Sequence, residues 1–246
     1  MILVKTFYAY NELRNYSYLI LDDQTGESWV IDPFEAQPII DYIKKNGLVL
    51  RGILNTHQHF DHIRGNAPLI ENFKAPVRKL KGSENVKLSD SHSLVTIDTP
   101  GHTLDHQVFV WREAEKAVAL FSGDTLFNSG VGNCKNGGDV NLLYDTTLEL
   151  FQTLPPETLL YPGHDYRRRN LEFALEVEPE NKAVNERLYQ LKGVTTEVLP
   201  PATLGEEKLV NPFLRLNSEE LRVNLGKEET NERELFIELR HLRDKW

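Results

Sequence analysis

Short apolar runs that stop on a histidine or an aspartate recur through the first two thirds of the chain, and no other feature restricts the fold as tightly. "LRGILNTH" ends at His57, "SLVTIDTP" leads to a Pro-Gly turn and His102, "KAVALFSGD" ends at Asp124, and "ETLLYPGHD" carries His164. Apolar runs of about four to eight residues, bounded by turn formers, read as strands. Polar side chains gathered at several strand ends read as a site built along one edge of sheets. "YSYLILDD" and "SWVIDP" add two strands joined by "DQTGE" as a hairpin, and "QVFVWRE" adds another. "EAQPIIDYIKKNG" places Ile39, Ile40 and Ile43 at helical spacing and stops at Gly47.

The pattern changes near residue 168. "NLEFALEVEPENKAVNERLYQLKG" is helical in spacing, through Leu171 and Leu175 and then, after the interrupting Pro179, Val184, Leu188 and Leu191. "PPATLGEEKLVNPFL" reads as a loop. "NERELFIELRHLRDKW" closes the chain as an amphipathic helix with a stripe of Leu235, Leu239, Leu242 and Trp246. The expectation is a mixed α/β domain over residues 1–168 and a helical domain over 169–246.

Composition narrows the function. A net charge of −9 disfavours a general role on nucleic acid or anionic membrane. No apolar run approaches the roughly 20 residues of a membrane span, and "MILVKTFYAYNELRN" lacks a signal-peptide layout. The single cysteine, Cys134, excludes an internal disulfide, fits a reducing compartment and sits in the turn "GVGNCKNGG" as a small filler. Cytoplasm is the expected address. Oligomeric state is not legible.

The motif "THQHFDH" puts His57, His59, Asp61 and His62 within six positions. Imidazole nitrogen and carboxylate oxygen hold zinc and similar ions, and catalytic sites leave one position open. His57 and His59, two apart, can aim at one point from an extended segment, while Asp61 and His62 serve a second ion close by. A lone His-x-His is weak evidence, and a single strand-end His or Asp is more often a cap. Four such motifs together predict a metal site: His57, His59 and His102 on one ion, Asp61, His62 and His164 on the other, with Asp124 between them. His106 is expected to steady a ligand, and His92 and His241 to lie at the surface.

In that order "THQHFDH", "PGHT", "SGDTLF" and "PGHD" resemble the metallo-β-lactamase superfamily. The resemblance implies an αββα sandwich of two mixed sheets flanked by helices, with a two-metal site at the sheet edge. "PPATLGEEKLVNPFLR" and "LRHLRDKW" extend the likeness to the glyoxalase II, or hydroxyacylglutathione hydrolase, family. By that resemblance the C-terminal helical domain holds the glutathione part of a thioester, with Tyr166, Arg240 and Arg243 as its contacts. The chain departs from the family pattern after the Asp124 motif, where "GVGNCKNGG" sets Asn133 and Lys135 in place of a basic residue and an aromatic. Lys135 is expected to replace the lost charge. "YRRRN", Arg167 to Arg169, is more basic than the family pattern and suits an anionic substrate.

The implied reaction is hydrolysis of S-D-lactoylglutathione to D-lactate and glutathione. A metal-bridging hydroxide attacks the carbonyl and Asp61 orients it. Zinc is the expected ion, and iron and manganese also suit the donors. The alternatives are a persulfide dioxygenase with one iron, a hydrolase for another thiol carrier, a metal-free binding module, and a phosphodiesterase.

Overall fold

The computed structural model describes residues 1–82, 84–194 and 199–246. Its first sheet takes strands in chain order: β1 (Ile2–Tyr8), β2 (Tyr16–Asp22), β3 (Glu27–Ile31) and β4 (Val49–Leu54). β1–β2 and β2–β3 are antiparallel, the latter being the expected hairpin, and β3–β4 are parallel. Helix α1 (Ala36–Lys45) makes the crossover between β3 and β4. Helices α2 (Phe60–Ile63) and α3 (Asn66–Phe73) follow, and then β5 (Asn85–Lys87), β6 (His92–Asp98), β7 (Gln107–Glu113) and β8 (Lys116–Gly123). A small hairpin of β9 (Leu126–Phe127) and β10 (Gly130–Val131), helix α4 (Val140–Thr153) and strand β11 (Leu159–Pro162) complete this part. The second sheet runs in the order β11-β8-β7-β6-β5, with only β11–β8 parallel.

Side-chain alternation explains why the sheets stack. On β2, Tyr18 and Ile20 join Ile31, Leu54, Phe109, Ala119 and Phe121 in a cluster drawn from both sheets. Leu19 and Leu21, on the opposite face, pack with Ile39, Ile40 and Ile43 of α1 and Leu69 of α3. A strand covered on both faces has no solvent side, so β2 is buried along its whole length. The far face of the second sheet, through Val108, Val110 and Leu120, packs on Leu143 and Leu150 of α4. Two mixed sheets face to face with helices outside are the expected αββα sandwich.

After β11 come α5 (Arg167–Val177), α6 (Lys182–Gln190), α7 (Leu204–Val210), a 3-10 turn at Pro212–Leu214, α8 (Glu219–Leu225) and α9 (Glu232–Lys245). Leu235, Phe236 and Leu239 of α9 share an apolar cluster with α4 and the second sheet, so the helical segment is packed onto the sandwich rather than tethered to it. "PPATLGEEKLVNPFL" is therefore not the loop its Pro and Gly content suggests. Thr203 and Glu206 form a reciprocal capping box that starts α7, and Asn211 caps the 3-10 turn after it. No helix among the described residues is long and apolar enough to cross a membrane.

Candidate metal centre

The strand ends deliver their polar residues to one place. His57 follows β4, His59 stands at the N-cap of α2 and His62 lies within it, Asp124 follows β8 and His164 follows β11. His57 Nε2 lies 3.0 Å from His59 Nδ1, which is 3.1 Å from His102 Nε2. In the second group His62 Nε2 lies 3.2 Å from His164 Nε2, and Asp61 Oδ2 is 3.4 Å from His164 Nε2. Asp124 stands between the groups, with Oδ2 3.5 Å from His102 Nε2 and 3.2 Å from His164 Nε2, and Oδ1 3.4 Å from His62 Nε2. All seven candidate donors therefore converge, in three overlapping triads: His57, His59 and His102; His57, His62 and Asp124; and Asp61, His62 and His164.

The outer nitrogens decide what the inner ones can do. His62 Nδ1 donates to Asp32 Oδ2 at 2.9 Å, His164 Nδ1 to the Leu13 carbonyl at 2.8 Å, and His102 Nδ1 to the Asn133 carbonyl at 2.6 Å. Thr56 gives its hydroxyl proton to Asp32 Oδ2 at 2.6 Å, so it accepts from His57 Nδ1 at 3.1 Å. Each of these imidazoles thus carries its proton on the outside and turns a lone pair inward. With the outer protons in place, the facing Nε2 atoms of His62 and His164, 3.2 Å apart, call for a cation between them, either a proton or a metal ion. Asp124 Oδ1 is buried and accepts no hydrogen bond, a costly arrangement that a cation relieves. The donor set fits divalent metal.

Electrostatics agree. Burial acts to lower the His62 pKa, but the Asp124, Asp32 and Asp61 carboxylates push it up to about 9. Burial opposes ionisation of Asp124, yet His164 and His62 hold it well below the usual carboxylate range. The centre is short of positive charge. Burial, aided by neighbouring imidazoles, pushes His57 and His106 far below an ordinary histidine. A neutral imidazole is the form that ligates.

Several supporting residues escaped the sequence reading. Asp32 is buried and holds both Thr56 and His62. Its signal was present, since "SWVID" is one more apolar run ending on an acid. Asn15 donates from Nδ2 to Asp61 Oδ2 at 2.9 Å. His106 does steady the centre as expected. Its Nε2 accepts from the Asp124 N–H at 3.1 Å, its Nδ1 pairs with the Thr99 hydroxyl at 2.8 Å, and its ring stacks on His57. Two glycines are required by contact. A Cβ on Gly163 would stand 2.4 Å from Asp124 Oδ1, and one on Gly132 would stand 1.9 Å from the Asp124 carbonyl oxygen. Of the two histidines expected at the surface, His241 is exposed. His92 is not, because its ring receives the Trp111 indole N–H at 3.2 Å.

Comparison with known proteins places the whole chain. Residues 10–91 match the metallo-beta-lactamase superfamily model and residues 165–246 match the model described as hydroxyacylglutathione hydrolase C-terminus. A hydroxyacylglutathione hydrolase of Polaromonas is 38% identical, over 99% of this chain and all of the relative. One from Nitrosococcus oceani is 36% identical over the same shares. The chain belongs to the hydroxyacylglutathione hydrolase family. A metallo-beta-lactamase of Staphylococcus aureus shares the fold, with a TM-score of 0.66 and 20% identity over 98% of this chain and 72% of that one. The match to the metallo-beta-lactamase superfamily and the converging His and Asp donors together mark the cluster as a divalent-metal centre.

The residues expected at the thiol carrier of a hydroxyacylglutathione hydrolase are placed unevenly. Tyr166 stacks on His164 at 5.0 Å between ring centroids, beside the centre. Arg243 lies over Phe173 and Trp246 and donates to Asn170 Oδ1 at 3.1 Å. Burial and the charges of Arg240 and Arg169 push its pKa down to about 10. Arg240 does not project from an exposed helix edge beside it. It is only 6% exposed and turns inward, donating to the Val131 carbonyl at 2.8 Å and the Gly132 carbonyl at 3.3 Å, with Asp244 as counter-ion. Its position on the inner side of α9, next to Leu239, leaves those carbonyls as its acceptors. Lys135 reaches the Asp244 carbonyl at 3.2 Å, and Asn133 contributes its backbone carbonyl to His102 and its side-chain oxygen to the Lys135 N–H.

Proposed function

We propose that the chain hydrolyses S-(2-hydroxyacyl)glutathione thioesters, with S-D-lactoylglutathione as the representative substrate and D-lactate and glutathione as products. Residues 1–168 carry the chemistry in this reading and residues 169–246 carry the thiol. His57, His59 and His102 hold one divalent ion, Asp61, His62 and His164 a second, and Asp124 both. Zinc suits these donors best, with iron and manganese as acceptable substitutes. Bound ions supply a nucleophilic hydroxide near neutral pH and polarise the thioester carbonyl.

The chain's own residues do the rest. Asp61, fixed by Asn15, is placed to orient the attacking hydroxide. Asp32, Thr56, Leu13 and Asn133 hold the imidazoles in the ligating tautomer. A thiolate leaves readily, so no strong general acid is needed. The glutathione moiety carries carboxylates, and Arg243, Arg169 and Lys135 supply cations in an otherwise acidic chain. Arg240 serves that surface from behind by bracing the strand that leads to Asn133. A cytoplasmic setting suits a chain with one cysteine.

The observation that supports this reading most is the set of inward lone pairs around the unpartnered Asp124 oxygen. The test is release of free thiol from S-D-lactoylglutathione by zinc-loaded protein, followed with a chromogenic thiol reagent. His59→Ala should abolish it with the circular dichroism spectrum unchanged. Full activity in that variant, or one iron per chain with oxygen uptake, overturns the assignment.

A further inference from the structure

We infer that Glu207 is a positioning residue for the metal centre: from the helical segment it clamps the β9–β10 hairpin, and through that hairpin it sets where Asp124 and His102 stand. The inference rests on the metal-centre reading above and concerns residues remote from the ions.

Glu207 lies in α7 and is fully buried. Its Oε2 accepts the Ser129 N–H, and its Oε1 accepts Asn128 Nδ2 at 3.1 Å and Arg187 Nη1 at 3.1 Å. Ser129 is a non-glycine residue at φ +59°, a conformation that needs such an anchor. The neighbours are gripped in the same way. The Asn128 carbonyl accepts from Asn170 Nδ2 at 2.9 Å, the Gly130 carbonyl from Asn211 Nδ2 at 3.1 Å, and the Val131 and Gly132 carbonyls from Arg240. Five consecutive residues, 128 to 132, are thus held by side chains from the helical segment.

The other side of this strip is the metal centre. The hairpin begins two residues after Asp124. Gly132 returns against it so closely that an added Cβ would sit 1.9 Å from the Asp124 carbonyl oxygen and 3.1 Å from His102 Nδ1. The next residue, Asn133, gives its carbonyl to His102 Nδ1 at 2.6 Å. A shift of the strip therefore moves a donor of both ion groups. Apolar burial decides which face of a strand points inward but is non-directional between individual atoms. A buried carboxylate with three donors, two of them on the strip, fixes register, and a burial cost accompanies it.

The experiment uses the full chain with Glu207→Gln, which keeps the shape but turns an NH₂ group toward donors. Asn128→Ala removes the Nδ2 contact with Glu207 from the hairpin side, together with the Arg167 bonds to Asn128 Oδ1 at 3.1 and 3.3 Å, and stands in should Glu207→Gln fail to fold. Leu221→Ala, fully buried in α8, serves as the variant that loses stability alone. Three quantities are read: zinc affinity by competition with a chromogenic chelator, the visible spectrum of the cobalt-substituted centre, and kcat separately from KM. Glu207→Gln and Asn128→Ala should weaken zinc binding by about tenfold or more, alter the cobalt bands, and lower kcat with KM changed less than about twofold, as loss of transition-state stabilisation does. Leu221→Ala should lower Tm and leave all three. Wild-type affinity and cobalt bands in the Glu207 and Asn128 variants overturn the inference, as does an equal loss in Leu221→Ala. Wild-type protein that binds neither zinc nor cobalt overturns the metal reading itself, and the inference with it.

Discussion

Replacing Asp32 with asparagine isolates the control of one imidazole tautomer. The Asp32 carboxylate accepts the His62 Nδ1 proton at 2.9 Å, the Thr56 hydroxyl at 2.6 Å and the Thr56 N–H at 2.7 Å. Asparagine keeps the volume and one carbonyl oxygen, which can still serve the Thr56 N–H. Its NH₂ group then faces His62, which must present a bare nitrogen to it and move its proton to Nε2, the nitrogen that faces Asp124 and His164. Both charge-assisted bonds on Asp32 Oδ2 are lost, from His62 and from the Thr56 hydroxyl; the first, about 1.5–3 kcal/mol, falls on the ligating form of His62. At about 1.4 kcal/mol per tenfold, zinc affinity should drop by roughly ten- to a hundredfold, the range seen for partners of ligating histidines. Competition against a chromogenic chelator measures it, with near-ultraviolet circular dichroism confirming the fold. A folded Asp32→Asn protein that binds zinc within twofold of wild type would refute the tautomer argument.

Three further outcomes are expected. Gly163→Ala should fold yet lose bound metal and thiol release, because its Cβ would stand 2.4 Å from Asp124 Oδ1 and 2.8 Å from His62 Cε1; ordinary metal content would contradict the close approach. Burial pushes the Cys134 thiol up to about 11, so it stays protonated at neutral pH. Its thiolate fraction at pH 8 is about a thousandth, against roughly a quarter for a free thiol of pKa ~8.5. Iodoacetamide labelling should therefore run over a hundredfold slower than for a free thiol and rise about tenfold per pH unit up to pH 10; fast labelling at pH 8 would be inconsistent with that burial. Phe236→Ala removes a fully buried ring packed edge-to-face on Phe213 at 5.2 Å and Tyr144 at 5.4 Å. It should cost about 3–5 kcal/mol and lower Tm by roughly 10 °C, and a drop of only a degree or two would show that α9 is not integral to that core.

The donors were legible in the sequence because each stands where an apolar run gives way to a turn, a pattern set by the strand itself. What positions them was not. Asp32, Asn15 and the Asn133 carbonyl act through partners 30, 46 and 31 residues away, and no local period records such pairings. Helix α7 was hidden because it is short and stands between prolines and an Asn-Pro step, although Thr203 and Glu206 spell its capping box. Helix α4 was passed over too, with Asp139 as its capping signal. The family resemblance makes Arg240 a thiol-carrier contact, and a spacing of three puts it near the same side of the helix as Arg243. Only the packed α9 shows that the same spacing sends one arginine inward and leaves the other at the edge.

The separation in chain order of the parts around Asp124 has a consequence during synthesis. His57 leaves the ribosome some 150 residues before Glu207, or roughly ten to thirty seconds at bacterial or eukaryotic rates. Early in that interval a nascent chain offers an ion only the loop around His59; Asp124 and His164 follow 67 and 107 residues after His57. All seven donors are thus synthesised some 43 residues before Glu207, and the hairpin beside Asp124 gains its clamp only when the helical segment has packed against it.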